Sequence, residues 1–370
     1  MVADSDIQRI ALLTPLADVL ASFDLSIGPV APREMAVADA LGRTLAADAT
    51  VAEGHPGAAL ALRDGFALRS EQTADASSYA PAPLSPAPER VDVGDALPPG
   101  TDAVLALDAV QAQGGQIAAL ATVAPGEGVL PADADAAAGL ALRVAGARLR
   151  RIDVAILTAL GIERVLIREP RVRVVRAAAG EAIRGAAVGL ARAIDAESAK
   201  AVTDDATLEA ALGDDGANAV VAVGGTGSGR NDASVRTLAR VGRVEFHGIA
   251  ITPGETTALG FVGSRPVLLL PGRFDAALAG WLTIGRRMLA RLAFRLIEEQ
   301  PFAAELARKI ASPLGLAEVV PVRRRLGKVE PLGAGYLPMQ LLARAEGWIL
   351  VAADSEGHPA GARVVVRPWP

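Results

Sequence analysis

Residues Ala219 to Val223 are five consecutive small aliphatic side chains, and they run directly into Gly224, Gly225, Thr226, Gly227, Ser228 and Gly229. A strand that is apolar on both faces belongs inside a sheet covered on both sides. The glycines that follow allow positive φ and close approach of the backbone to a neighbour. The surrounding texture agrees. Between 171 and 301, "RVRVVRA", "NAVVAVGG", "VEFHGIAITPG" and "PVLLLPGR" read as strands. "GAAVGLARAIDAESA" and "TDDATLEAAL" read as helices, and "FDAALAGWLTIGRRMLARLAFRLIEE" as one long helix or two. Alternation of this kind predicts a mostly parallel α/β sheet with helices on both faces.

The rest of the chain changes texture three times. "TPLADVLASF" and "MAVADALGRTLAAD" carry helical spacing, although Gly42 weakens the second. From 51 to 135, short alternating runs between Pro and Gly predict short strands and tight turns, with a polar loop over 74–88. "LRRIDVAILTALGIERVLI" predicts an amphipathic helix ended by Gly161 and then a strand. The last zone, with "LAEVVPVRRRL", "GWILVAAD" and "ARVVVRPW", is β again. The expected fold class is multidomain α/β plus β. It comprises a split N-terminal helical domain (1–50 and 139–170), an inserted β-rich domain (51–138), an α/β domain (171–305) and a C-terminal β domain (306–370). At 370 residues the chain is too long for a single core.

Composition removes several function classes. There is no cysteine, which excludes disulfides, thiolate metal sites, iron–sulfur clusters and a cysteine nucleophile. The three histidines, His55, His247 and His358, lack ligand spacing, which speaks against zinc. A net charge of −5 speaks against nucleic acid. The start, "MVADSDIQRI", has no basic and apolar pattern of a signal peptide. No apolar stretch reaches the roughly 18 residues of a membrane span. The expectation is a soluble cytoplasmic protein with no membrane or nucleic-acid partner.

The glycine stretch admits three readings. A P-loop needs Lys and a hydroxyl after its last glycine, and here Arg230 and Asn231 follow. The dinucleotide fingerprint fails on spacing, because Gly225, Gly227 and Gly229 lie two apart. A plain turn explains one or two glycines, not four in six positions. The favoured reading is an anion or phosphate site at the carboxyl edge of the sheet. Asp232 would then hold a hard cation such as magnesium beside the phosphates.

At this loop the sequence resembles the molybdopterin molybdenumtransferase family, the MoeA proteins and the gephyrin E domain. Its motif, approximately S-G-G-V-S-x-G-x-x-D, reads "VGGTGSGRND" here and keeps Gly224, Gly225, Gly229 and Asp232. "LRDGFALR" is similar to S-A-M-D-G-Y-A-x-R and keeps Asp64, Gly65, Ala67 and Arg69. "VGDALPPGTDAVLALD" keeps Gly94, Pro98, Gly100, Asp102, Ala103 and Val104 of a further motif, with Asp108 for its final Glu. "DADAAAG" keeps Asp135 and Gly139. "ITPGETTALG" keeps Pro253, Gly254 and Gly260, and "LLPGRFDA" keeps Leu270, Pro271, Gly272 and Ala276. Six motifs in one order cover nearly the whole chain.

The resemblance implies an elongated homodimer that inserts molybdate into adenylylated molybdopterin with release of AMP, assisted by Mg2+. Molybdopterin-AMP and molybdate would be the substrates, and maturation proteins of molybdoenzymes are further expected partners. By carry-over, Asp64, Asp135 and Asp232 would be catalytic, the first two approaching from the partner subunit. Gly224, Gly225, Thr226, Gly227, Ser228, Gly229, Pro253, Gly254, Pro271, Gly272 and Arg273 would bind the ligand, and Asp232 and Glu181 the cation. Bland rivals exist: Asp64-Gly65 is also a common turn pair, Asp135 a possible helix cap, and Pro271-Gly272 a strand-ending turn.

Several polar positions depart from the family pattern. Ala182 replaces an acid beside Glu181, Asn218 replaces an Asp, and Val93 a Thr. Thr252 and Glu255 replace two lysines, and Arg273 and Phe274 replace Asn-Pro. Arg230 and Arg273 are candidates to take over anion binding. The departures keep open a second function: a molybdopterin or cofactor carrier that does not catalyse insertion. A partner-binding scaffold has no positive sign in the sequence.

Overall fold

In the computed structural model, residues 8–113, 116–195, 197, 199–203, 206–296 and 300–370 are described. The first seven residues of "MVADSDIQRI" lie outside them, as do parts of three predicted helices: Ala196 and Ser198, Asp204 and Asp205, and Ile297 to Glu299. The chain forms two compact units, one of 48–144 with 156–162 and one of the remaining residues.

The smaller unit is built from short antiparallel strands, as its Pro- and Gly-punctuated sequence predicts. Gly65–Leu68 pairs with Glu89–Val91 on one edge and Ala103–Ala106 on the other. Gly65 is required there, because a Cβ would lie 2.2 Å from the carbonyl oxygen of Leu105. A second three-stranded sheet joins Ala82–Pro83, Gln116–Ala119 and Val110–Gln113.

The larger unit is centred on a six-stranded sheet. Its elements in chain order are β1 (Arg171–Arg176), α1 (Glu181–Asp195), β2 (Lys200–Thr203), α2 (Leu208–Gly213), β3 (Ala219–Val223), α3 (Ser234–Val241), β4 (Arg243–His247), β5 (Ala258–Val262), β6 (Arg265–Leu270), α4 (Phe274–Gly280) and α5 (Arg286–Ala293). The strand order is β2-β1-β3-β6-β5-β4. The first four strands are parallel. β5 pairs antiparallel with both β6 and β4; the two-residue turn at Gly263, with φ +61, leaves no room for a crossover between β5 and β6.

β3 shows why its sequence is apolar throughout. Val221 and Val223 pack with Val174, Leu268, Leu270 and the α1 residues Leu190 and Ile194 on one face. Val220 and Ala222 pack with Val175, Val267, Leu269 and the α2 and α3 residues Leu212 and Leu238 on the other. Each buried Val, Leu or Ile contributes about 1.5–3 kcal/mol, so burial on both faces holds the sheet centre firmly.

The long helical pattern from Phe274 resolves into α4, a π-helical turn at Trp281–Gly285, and α5. Gly285 makes room for the indole of Trp281, since a Cβ there would lie 2.0 Å from its ring. Phe294, at φ +51, ends α5. The expected helix over "MAVADALGRTLAAD" is not formed. Arg33–Ala36 and Thr44–Leu45 instead flank the strand Arg164–Arg168 on its two edges, and Gly42 takes φ +75 between them. Pairing with a strand distant in sequence overrides local helical spacing.

A second mixed sheet has the order Ile251–Thr252, Ala317–Arg325, Gly347–Val351, Arg363–Pro368 and Phe302–Glu305. Ile251–Thr252 runs parallel to Ala317–Arg325, with Thr252 opposite Glu318. This ties the loop after Thr252 to the C-terminal strands. No helix among the described residues is long and apolar enough to cross a membrane.

Candidate functional site

A cleft of about 330 Å³ opens where β1, β3 and β6 end. Its wall takes residues from four segments: Ala178 and Ile183 after β1, Gly225 to Gly227 and Asp232 after β3, Gly254 to Thr256 before β5, and Pro271 to Arg273 with Ala276 after β6. Carboxyl ends of parallel strands are where open α/β sheets accept ligands.

Glycine is needed at the floor for space. Gly224 has φ +98, and a Cβ there would lie 3.1 Å from both Ala178 Cβ and Ile183 Cγ2. Its amide donates to Leu270 O at 2.8 Å, which locks the ends of β3 and β6 together. A Cβ on Gly272 would meet Ile183 at 3.2 Å. Gly254, at φ +128, follows the cis Thr252-Pro253 bond.

The rest of the glycine stretch wraps around Asp232. Its Oδ2 accepts a hydrogen bond from the Gly229 amide at 2.8 Å. A Cβ on Gly227 or Gly229 would lie 2.9 or 3.0 Å from that oxygen. These two glycines therefore make room for a carboxylate, and the Gly229 N–H is given to Asp232. Buried Gln8 donates through Nε2 to Gly225 O and Gly227 O, both at 2.7 Å, while its buried Oε1 has no partner among the described residues. Ser234 Oγ also donates to Gly225 O, at 2.6 Å. The His247 ring donates through Nε2 to Thr226 O at 3.0 Å. Thr226 and Thr256 join their hydroxyls at 2.9 Å, one strand-end to the other.

The acidic and basic groups of the wall are unequal. Among the described residues of the wall, Asp232 and Glu255 bring two carboxylates against the guanidinium of Arg273. Glu255 Oε2 accepts from the Gly254 amide at 3.1 Å. Arg273 is held by buried Asp275, through Nε at 3.0 Å and Nη2 at 2.7 Å. That hydrogen-bonded pairing raises the Arg273 pKa above its ordinary value. Burial alone would push the Asp275 carboxyl up. The hydrogen bonds from Arg273 and from the Leu337 amide outweigh it and hold the group below the usual carboxylate range.

The cleft thus gathers Gly225, Thr226, Gly227, Gly254, Pro271, Gly272 and Arg273 of the expected ligand-binding residues, together with Asp232 of the expected catalytic and cation-binding ones. Gly224 lies beneath it, Pro253 is buried behind it, and Ser228, Gly229 and Arg230 face solvent. Glu181 is exposed at the start of α1 and is not part of the wall. Asp64 and Asp135 belong to the smaller unit. Asp64 accepts from the Val93 amide at 2.8 Å, and the Asp135 amide donates to His55 O at 3.0 Å. No group of three or more His, Cys, Asp or Glu able to hold a metal occurs among the described residues. Sequence reading missed Ile183, Thr256, Gln8 and Asp275. Only Asp275 carried a signal, as an acid two residues from Arg273 in the first turn of a helix.

Comparison with known proteins agrees along most of the chain. A family model described as the MoeA N-terminal region (domain I and II) matches 13–161. A second, described as "Probable molybdopterin binding domain", matches 185–291, which holds most of the cleft. A Methanocaldococcus jannaschii protein described as belonging to molybdopterin biosynthesis is 30% identical over 152 residues. The match spans 40% of this chain and 36% of that relative's length. Two crystal structures of the molybdopterin biosynthesis moeA protein of Pyrococcus horikoshii share the fold. One has TM-score 0.76 at 23% identity, covering 97% of this chain and 100% of that one. The other has TM-score 0.77 at 24% identity, covering 96% and 99%. A molybdenum cofactor biosynthesis protein of Pyrococcus furiosus has TM-score 0.63 at 19% identity, covering 97% and 100%.

Proposed function

The chain belongs to the MoeA family, and from that premise we propose that it inserts molybdate into adenylylated molybdopterin with release of AMP. The observation that carries the reading is the cleft itself. It lies at the carboxyl ends of β3 and β6, is floored by glycine backbone, and takes its wall largely from the segment matched by the molybdopterin-binding model.

For this reaction the protein needs no nucleophile, because the sulfur ligands of the metal come with the substrate. Its tasks are to hold a polyanion, place molybdate beside it and orient the phosphoanhydride. Gly225 to Gly227 line the cleft, and their backbone would lie against a bound phosphate. The linked hydroxyls of Thr226 and Thr256 offer further hydrogen bonds. Ala178, Ile183 and Pro271 add apolar surface to the wall.

Among its described residues the wall carries more acid than base, so a polyanion would meet repulsion there. A divalent cation fits that imbalance. Magnesium is commonly held by one or two carboxylates together with substrate phosphates, and Asp232 and Glu255 are carboxylates of the wall. Bound there, Mg2+ would neutralise phosphate charge and polarise the anhydride. In the homodimer we propose, Asp64 and Asp135 of the partner subunit complete the site.

The test is to incubate the purified protein with adenylylated molybdopterin, molybdate and Mg2+ and to follow AMP. Release that Asp232→Ala abolishes supports the transferase. Tight binding of the pterin with no AMP points instead to a carrier. Failure to bind the pterin rejects both.

A further inference from the structure

Tyr336 lies in the loop between the strand Lys328–Pro331 and the short helix Met339–Leu342, far in sequence from the glycine stretch. Its ring sits against the guanidinium of Arg273, with Arg273 Cζ 5.1 Å from the ring centroid. Both side chains stay open to solvent, Tyr336 at 64% and Arg273 at 60%. An exposed aromatic on an irregular loop is ordinarily free to move. Here its two neighbours are tied to buried carboxylates. The Gly335 amide donates to Glu318 Oε1 at 2.8 Å, and Glu318 is 1% exposed. The Leu337 amide donates to Asp275 Oδ2 at 3.1 Å. The same Asp275 grips Arg273 by both arms.

Asp275 therefore holds the Arg273 side chain, and Glu318 and Asp275 anchor the backbone on either side of Tyr336; charge-assisted hydrogen bonds are the stronger kind. Arg273 lines the cleft, and Tyr336, which is not one of the lining residues, borders it through this contact. With its charge matched by Asp275, Arg273 offers a flat π surface more than a net positive charge. A flat face held in place before the ligand arrives lowers the ordering cost of binding.

Resting on the reading of the cleft as a pterin site, we propose that Arg273 and Tyr336 form the stacking platform for the ligand's flat nitrogen heterocycle. Ligand selection then depends on a ring-shaped head group as well as on phosphate. Glu318 and Asp275 are positioning residues that act through Tyr336 and Arg273.

The probe is 6-hydroxymethylpterin, which carries the ring without phosphate, followed by its own fluorescence on titration with the full-length protein. Wild type is expected to bind it with quenching. Tyr336→Ala and Tyr336→Leu should weaken binding about tenfold or more, the scale of removing one aromatic stacking partner. Tyr336→Phe should stay within about twofold, since it keeps the face. Arg273→Lys, which keeps charge and loses the plane, should also weaken binding. The thermal midpoint of each Tyr336 variant should match wild type, because the side chain is exposed. If Tyr336→Ala and Tyr336→Leu bind as wild type does, the platform is overturned while the pterin cleft stands. If folded wild type binds no 6-hydroxymethylpterin, the platform is overturned; if it also fails to bind adenylylated molybdopterin, the pterin cleft falls with it.

Discussion

Asp275 takes both arms of the Arg273 guanidinium, at 3.0 and 2.7 Å, from a position that is itself only 4% exposed. The same carboxylate accepts the Leu337 amide at 3.1 Å. One acid thereby joins the end of β6, the wall of the cleft and a loop of the C-terminal region.

The first prediction concerns pH. The folded-state pKa of Asp275 lies below its ordinary value. Its contribution to stability is therefore present above the unfolded pKa, about 4, and is lost as pH falls through the lower folded value. Asp275→Asn should cost about 1–3 kcal/mol at pH 7, the scale of breaking hydrogen bonds at a buried group. The gap from wild type should shrink on acidification below about pH 4. Urea unfolding at neutral and acid pH measures both. A gap that stays constant would mean that the pair contributes nothing through charge.

The second concerns the cleft floor. Gly224→Ala meets a positive φ and close neighbours at 3.1 Å. Gly139→Ala meets a positive φ of +76 with nothing within 4 Å. Both should destabilise, Gly139→Ala by about 1 kcal/mol and Gly224→Ala by about 1 kcal/mol more, from backbone strain plus crowding. Equal thermal midpoints for the two variants would show that Ala178 and Ile183 yield easily.

The third concerns Gln8. Gln8→Ala removes two donors from Gly225 O and Gly227 O and should cost about 1 kcal/mol. Gln8→Glu keeps the shape but sets a carboxylate against two carbonyl oxygens, so it should cost more than Ala. Hydrogen exchange of the amides of 225–229 should accelerate in both variants. Unchanged exchange would mean that the loop keeps its shape without the side chain.

The fourth concerns Asp232. Its bond to the Gly229 amide is local and partly open, so Asp232→Ala should lower stability by only about 1 kcal/mol. AMP release should nevertheless be lost. A large fall in thermal midpoint with activity retained would assign the residue to structure alone.

How much of this was legible in the sequence follows from the range of each interaction. β3 was readable because burial on both faces leaves no polar position in the strand, and Gly224 because a turn must follow it. The helix expected around Met35 failed because the two edges of Arg164–Arg168 recruit those residues across more than a hundred positions. Gln8 reaches Gly225 across 217 residues, and no local pattern can announce such a contact. Gly227 and Gly229 were read as openings for phosphate, whereas both accommodate the Asp232 carboxylate. Tyr336 had no motif around it. Its placement depends on Glu318 and Asp275, each from a different element.

The most direct test of the account is calorimetric titration of molybdopterin into the wild-type protein and into Ala178→Leu, whose added bulk enters the cleft from its wall. Wild type is expected to show one saturable site per chain, and the folded variant none. Binding that Ala178→Leu leaves unchanged, or no binding to wild type, would contradict it.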